Sequence, residues 1–138
     1  MTFDTTAPGR PGAPKECILV VEDEVLIRMV IAEYLRDCGY RVIEAAQADE
    51  AILVLEQPDL RIDVVLSDVE MPGPMDGFGL AQWIRQNRGE LKIILAGTVS
   101  RAAENAAELC ESGPLLAKPY GPQVVVDRIK RLLGPRVA

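Results

Sequence analysis

The chain has 138 residues, 49% of them hydrophobic, enough apolar mass for one core and too little length for two domains of ordinary size. Fifteen lysines and arginines stand against 21 acids, a formal net charge of -6, which argues against nucleic acid or an anionic membrane as a direct partner. There is no histidine, so histidine relays and histidine-ligated zinc are excluded and carboxylate and lysine chemistry remains.

Residues 1–15 carry Pro8, Pro11 and Pro14 with Gly9 and Gly12 and no apolar stretch of the kind a secretory signal needs, so they read as a flexible tail. From there to residue 134 short runs of Val, Ile and Leu alternate with helix-period segments, the pattern of parallel strands joined by crossover helices. The first strand is expected over Cys17–Val21 and is followed by the acids Glu22-Asp23-Glu24. Ile27, Ile31, Leu35 and Cys38 keep helical spacing after it. A second strand is expected over Tyr40–Ala45, then a helix through Ile52, Leu55 and Glu56 that Pro58 stops. The third strand, Ile62–Ser67, is closed by Asp68 and the loop Met71-Pro72-Gly73-Pro74-Met75-Asp76-Gly77. Leu80 and Ile84 mark a third helix, Leu91–Ala96 a fourth strand, and Ala102, Ala103, Ala106, Ala107 and Cys110 a fourth helix. A short fifth strand, Leu115–Ala117, leads into Lys118-Pro119. Val125, Ile129, Leu132 and Leu133 form the last helix, ended by Gly134-Pro135, and residues 135–138 are a tail.

Five strands and five helices of this kind make a doubly wound α/β sandwich with a five-stranded parallel sheet. Continuous apolar strands imply that both faces are covered. In the flavodoxin-like order 2-1-3-4-5, strands one and three are neighbours and their C-terminal ends bring Asp23 and Asp68 together. Cys17, Cys38 and Cys110 are odd in number and form no Cys-x-x-Cys, so no disulfide framework or zinc site is expected; a reducing compartment fits and each reads as a small core residue. No apolar run approaches the roughly 20 residues of a membrane span, and a cytoplasmic location is expected.

Three strand ends thus supply acid, acid and lysine. Converging carboxylates repel unless a cation sits among them, and oxygen-only ligands favour magnesium. Carboxylate, magnesium and lysine are what transfer of a phosphoryl group onto an aspartate requires. Asp68 is the candidate nucleophile, Glu22 and Asp23 are candidate metal ligands with the Glu70 carbonyl, and Lys118 is the candidate cation beside the phosphoryl group.

Val20-Val21-Glu22-Asp23-Glu24, Asp68 with Met71-Pro72 and Asp76-Gly77, and Lys118-Pro119-Tyr120, in that order, resemble the receiver domain of two-component response regulators from about Glu16 to Leu133. The resemblance implies phosphorylation at Asp68 and magnesium at Glu22, Asp23, Asp68 and the Glu70 carbonyl. It also implies a sensor histidine kinase or histidine phosphotransfer protein as donor and a cis Lys118-Pro119 peptide. Three departures stand out. Gly73-Pro74 makes the loop one residue longer than the family's, and Ala96 and Gly97 fall where the family carries a phosphoryl-binding hydroxyl, with Thr98 just beyond. Leu115 replaces the family's switch aromatic.

The leading function is therefore a single-domain signalling switch with no output module, acting on an unknown downstream protein. A receiver that binds partners without phosphorylation and an aspartate-nucleophile phosphatase are the alternatives, the second opposed by the lack of a cap insert. Glu24 is expected to cap the first helix, Met71, Met75, Phe78 and Trp83 to pack loop and helix, and Arg128, Lys130, Arg131 and Arg136 to line a solvated face. Val124-Val125-Val126 exceeds one buried helix face and leaves a homodimer open.

Overall fold

The computed structural model describes residues 16–112 and 122–133. The expected fifth strand with Leu115, Lys118 and its peptide to Pro119, together with both tails, lies outside them. The described elements are β1 (Cys17–Val21), α1 (Val25–Asp37), β2 (Arg41–Ala45), α2 (Ala48–Leu55), β3 (Val64–Asp68), α3 (Gly77–Asn87), β4 (Lys92–Ala96), α4 (Val99–Ser112) and α5 (Pro122–Leu133). The strands pair in parallel in the order β2-β1-β3-β4, the flavodoxin-like arrangement.

Three strands begin later than apolar content suggested. Ile62 and Leu91 are buried yet precede their strands, because burial of a side chain does not require ladder pairing. At the third strand the boundary is set by Asp63, whose carboxylate accepts from the Cys17 N–H at 2.9 Å while its own N–H donates to the Cys17 carbonyl at 2.9 Å. At the other end β3 runs through Asp68, which pairs with Ala96.

Alternation along the strands splits the core. Ile18, Val20, Leu66 and Ala96 face α1, α4 and α5, whereas Cys17, Leu19, Val21, Ala45 and Val65 face α2 and α3. On its core side α4 offers alanines, so it approaches α1 and the sheet closely: Ala103 and Ala106 are fully buried. Its end is fastened twice. The Tyr40 hydroxyl donates to the Leu109 carbonyl, and Cys38, at the C-cap of α1, is disulfide-bonded to Cys110 with Cα atoms 5.5 Å apart.

That bond corrects the expectation of three unpaired cysteines. All three are buried, but only Cys17 is free. A separation of 72 residues leaves no local spacing to recognise. By the chain-entropy argument, closing a loop of that length destabilises the unfolded chain by about 4 kcal/mol. Because α4 is packed through alanine, Ala106→Leu should cost about 1–3 kcal/mol. Urea denaturation of variant and wild type measures it.

Candidate functional site

Register decides the site. β1 and β3 are neighbours with Val21 opposite Ser67, so the residues just past β1 meet the last residue of β3. Glu22, Asp23 and Asp68 each bring a carboxylate oxygen to within 4.8 Å of the others. Glu22 is buried, Asp68 half-buried and Asp23 exposed. The Glu22 N–H donates to the Ala45 carbonyl of β2 at 3.0 Å, and its own carbonyl accepts from Arg28 Nη1 at 2.8 Å. Arg28 Nε in turn pairs with Glu44 of β2 at 3.2 Å. The Glu22 backbone is thus braced from both sides. Its carboxylate accepts the Glu24 N–H at 3.0 Å, whereas Glu24, expected to cap α1, makes no side-chain cap hydrogen bond.

Burial, aided by the charge of Asp68 and by Asp23, pushes the Glu22 carboxyl up to about 8, against the lowering effect of the Glu24 N–H. The Asp68 carboxyl is raised too, first by burial and then by the charges of Asp23 and Glu70, while the N–H groups of Glu70 and Val69 oppose the shift. Crowding of this kind suits a hard divalent cation, and an all-oxygen donor set with backbone carbonyls nearby fits magnesium.

Beyond Asp68 the loop turns back tightly. Gly73 has φ 98°, a left-handed conformation that explains why the extra loop residue can be glycine at little cost. Asp76 caps α3 by accepting from the Gly79 N–H at 2.9 Å. Gly77 lies against Asp68 so closely that a β-carbon there would sit 2.1 Å from the Asp68 carbonyl oxygen. Across the sheet Ala96, Gly97, Thr98, Val99 and Ala102 complete a cavity of about 370 Å³ with the acids, Glu70 and the α1 residues Ile27 and Ile31. Gly97 has open space beside it. Thr98 Oγ1 accepts from the Arg101 N–H at 3.1 Å and so caps α4.

The structure therefore unites Glu22, Asp23, Asp68, Glu70, Ala96, Gly97 and Thr98 around one cavity. Lys118 and Leu115 lie outside the described residues. Arg28 and Gly77 were not given site roles from sequence; a lone arginine among the apolar residues of the first helix and a glycine right after the loop were the available signals. Met71, Met75 and Trp83 do pack against the α2–α3 side, but Phe78 is 61% exposed, against the expectation that it packs. Val125 and Val126 are buried and Val124 exposed.

A family model described as the response regulator receiver domain matches residues 18–130. The chain belongs to that receiver domain family. The receiver is 36% identical over 118 residues to the transcriptional regulatory protein ResD of Bacillus subtilis, covering 84% of this chain and 47% of ResD. It is 40% identical over 118 residues to the sensor histidine kinase RcsC of Escherichia coli, covering 84% of this chain and 12% of RcsC. A response regulator receiver protein from Pseudomonas putida has a similar structure, with TM-score 0.57 at 27% identity over 86% of this chain and 98% of that one. The receiver spans about half the length of the first curated relatives it matches. No helix among the described residues is long and apolar enough to cross a membrane.

The raised carboxyls make the receiver's stability depend on pH. Native Glu22 keeps its proton up to about pH 8 whereas an unfolded glutamate loses it near 4.5, so the stabilisation is complete below 4.5 and is lost as pH rises through 8. Urea midpoints in a chelator should fall over that range, and Glu22→Gln should flatten the slope. Gly77→Ala should lower stability by about 1–3 kcal/mol by displacing the Asp68 backbone, which thermal melts and Asp68 labelling can both read.

Proposed function

We propose that the receiver takes a phosphoryl group onto Asp68 in a magnesium-dependent reaction and signals through protein contacts. The donor is the phosphohistidine of a sensor histidine kinase or histidine phosphotransfer protein. The observation that carries this reading is the convergence of Glu22, Asp23 and Asp68 on one cavity, with Asp68 at a strand end. A carboxylate oxygen of Asp68 attacks phosphorus while the bond to the donor imidazole breaks and its electron pair returns to the ring. The Val69 and Glu70 N–H groups favour the ionised carboxylate that must attack. Glu22, Asp23, Asp68 and the Glu70 carbonyl would hold magnesium, which when bound neutralises charge on the phosphoryl oxygens. Lys118 is proposed to supply the second cation. In this reading the receiver is a phosphoryl acceptor that assists its own phosphorylation and dephosphorylation, and it works in the cytoplasm without contacting nucleic acid directly.

The surface beside the cavity supports docking of a protein donor. Val25, Leu26 and Met29 of α1 are 53%, 38% and 45% exposed, an apolar strip that starts at the acids.

One observation favours a second reading, a receiver that binds partners without phosphorylation. Ala96 and Gly97 offer no hydroxyl, and the next residue, Thr98, has its Oγ1 engaged as the acceptor that caps α4. Labelling separates the two. Incubation with a small phosphodonor and magnesium should add one phosphoryl group by intact mass, and Asp68→Asn should add none. Equal labelling of that variant would place the acceptor elsewhere, and an inert wild type would favour the binding module. Magnesium at about 100 times its dissociation constant should stabilise the wild type by about 2.7 kcal/mol, and Asp23→Ala should lose most of that gain.

A further inference from the structure

The helices α1 and α4 are joined at both ends of their shared interface. At one end Ile27, Ile31, Val99 and Ala102 line the cavity that holds Asp68. At the other, Cys38 and Cys110 form a disulfide, and the Tyr40 hydroxyl holds the Leu109 carbonyl beside it. Between the ends the α4 alanines Ala103, Ala106 and Ala107 pack in one cluster with the larger α1 side chains Ile27, Ile31 and Leu35. The covalent bond is therefore a restraint on the end of α4 that chemistry can remove while the packing stays.

We infer that Cys38 and Cys110 are a reversible redox couple whose state sets the position of α4 and, through its first turn, the shape of the Asp68 cavity. Reduction is thiol–disulfide exchange. A small thiol such as glutathione attacks one sulfur and forms a mixed disulfide, and a second thiol displaces the other cysteine. The protein gains two electrons and two protons, and the donor thiols leave as their own disulfide. Both sulfurs belong to buried residues, so exchange requires the last turn of α4 to move away from α1, the same motion that reduction then leaves unrestrained. Cys17 packs on the opposite face of the sheet with α2 and α3, which keeps it out of disulfide reshuffling. Coupling of this kind is reciprocal: a ligand at Asp68 that favours one position of α4 shifts the redox equilibrium by the same factor.

The influence on phosphoryl lifetime rests on the function proposed above; the influence on α4 does not. Alkylation in denaturant, read by intact mass, should find one thiol in the air-equilibrated chain and all three cysteines after reductant. Hydrogen exchange of the Val99–Ala103 amides should be about five-fold or more faster in the reduced protein. Phosphoryl lifetime at Asp68 should change between the two states, and a Cys38→Ala/Cys110→Ala double variant should lose that dependence. If the double variant does not fold, the wild type with and without reductant still gives the comparison. Three alkylated thiols without reductant, or identical exchange of those amides in both states, would overturn the inference. Failure to label in either state would count against the proposed function alone, because thiol count and exchange are read without phosphorylation.

Discussion

Repulsion among three carboxylates is the constraint around which this receiver is built. Parallel pairing of β1 with β3 forces Glu22, Asp23 and Asp68 together, and burial of Glu22 makes their mutual charge expensive. An isolated loop would relieve that by moving apart. Here it cannot, because the Glu22 backbone is tied to Ala45 through its N–H and to Arg28 through its carbonyl, with Arg28 itself anchored on Glu44. The second strand, which contributes no acid to the cavity, is what holds the acids in place.

The same logic appears on the Asp68 side. Gly77 packs against the Asp68 carbonyl, and its N–H donates to the Val69 carbonyl at 2.8 Å, so the start of α3 stops the strand end from drifting. The Val69 N–H reaches across to Ala96 at 3.2 Å, which ties that same end to β4. The backbone of three elements thus fixes the position of Asp68.

Much of this was legible in the chain because strand ends are punctuated chemically. Apolar runs that close on an acid mark both a boundary and a site, and Asp23 and Asp68 were found for that reason. Strand starts were harder: Ile62 and Leu91 look like strand residues because they are buried, but their backbones make no ladder. The Cys38–Cys110 bond was invisible, since its partners are 72 residues apart and each also suits a helix core position. The role of Arg28 was hidden for a related reason, because its partners are a backbone carbonyl and an acid on another strand.

The open space beside Gly97 bears on how the edge of the cavity is built. A β-carbon at that position would meet no heavy atom within 4 Å, so packing does not require a glycine there. The scaffold could accept an alanine where the chain carries hydrogen, and the next residue, Thr98, starts a helix through its Oγ1. What lines this edge of the cavity is thus separable from the stability of the fold. Exchanging that single small residue would change the edge of the cavity and leave the core and the acidic cluster as they are.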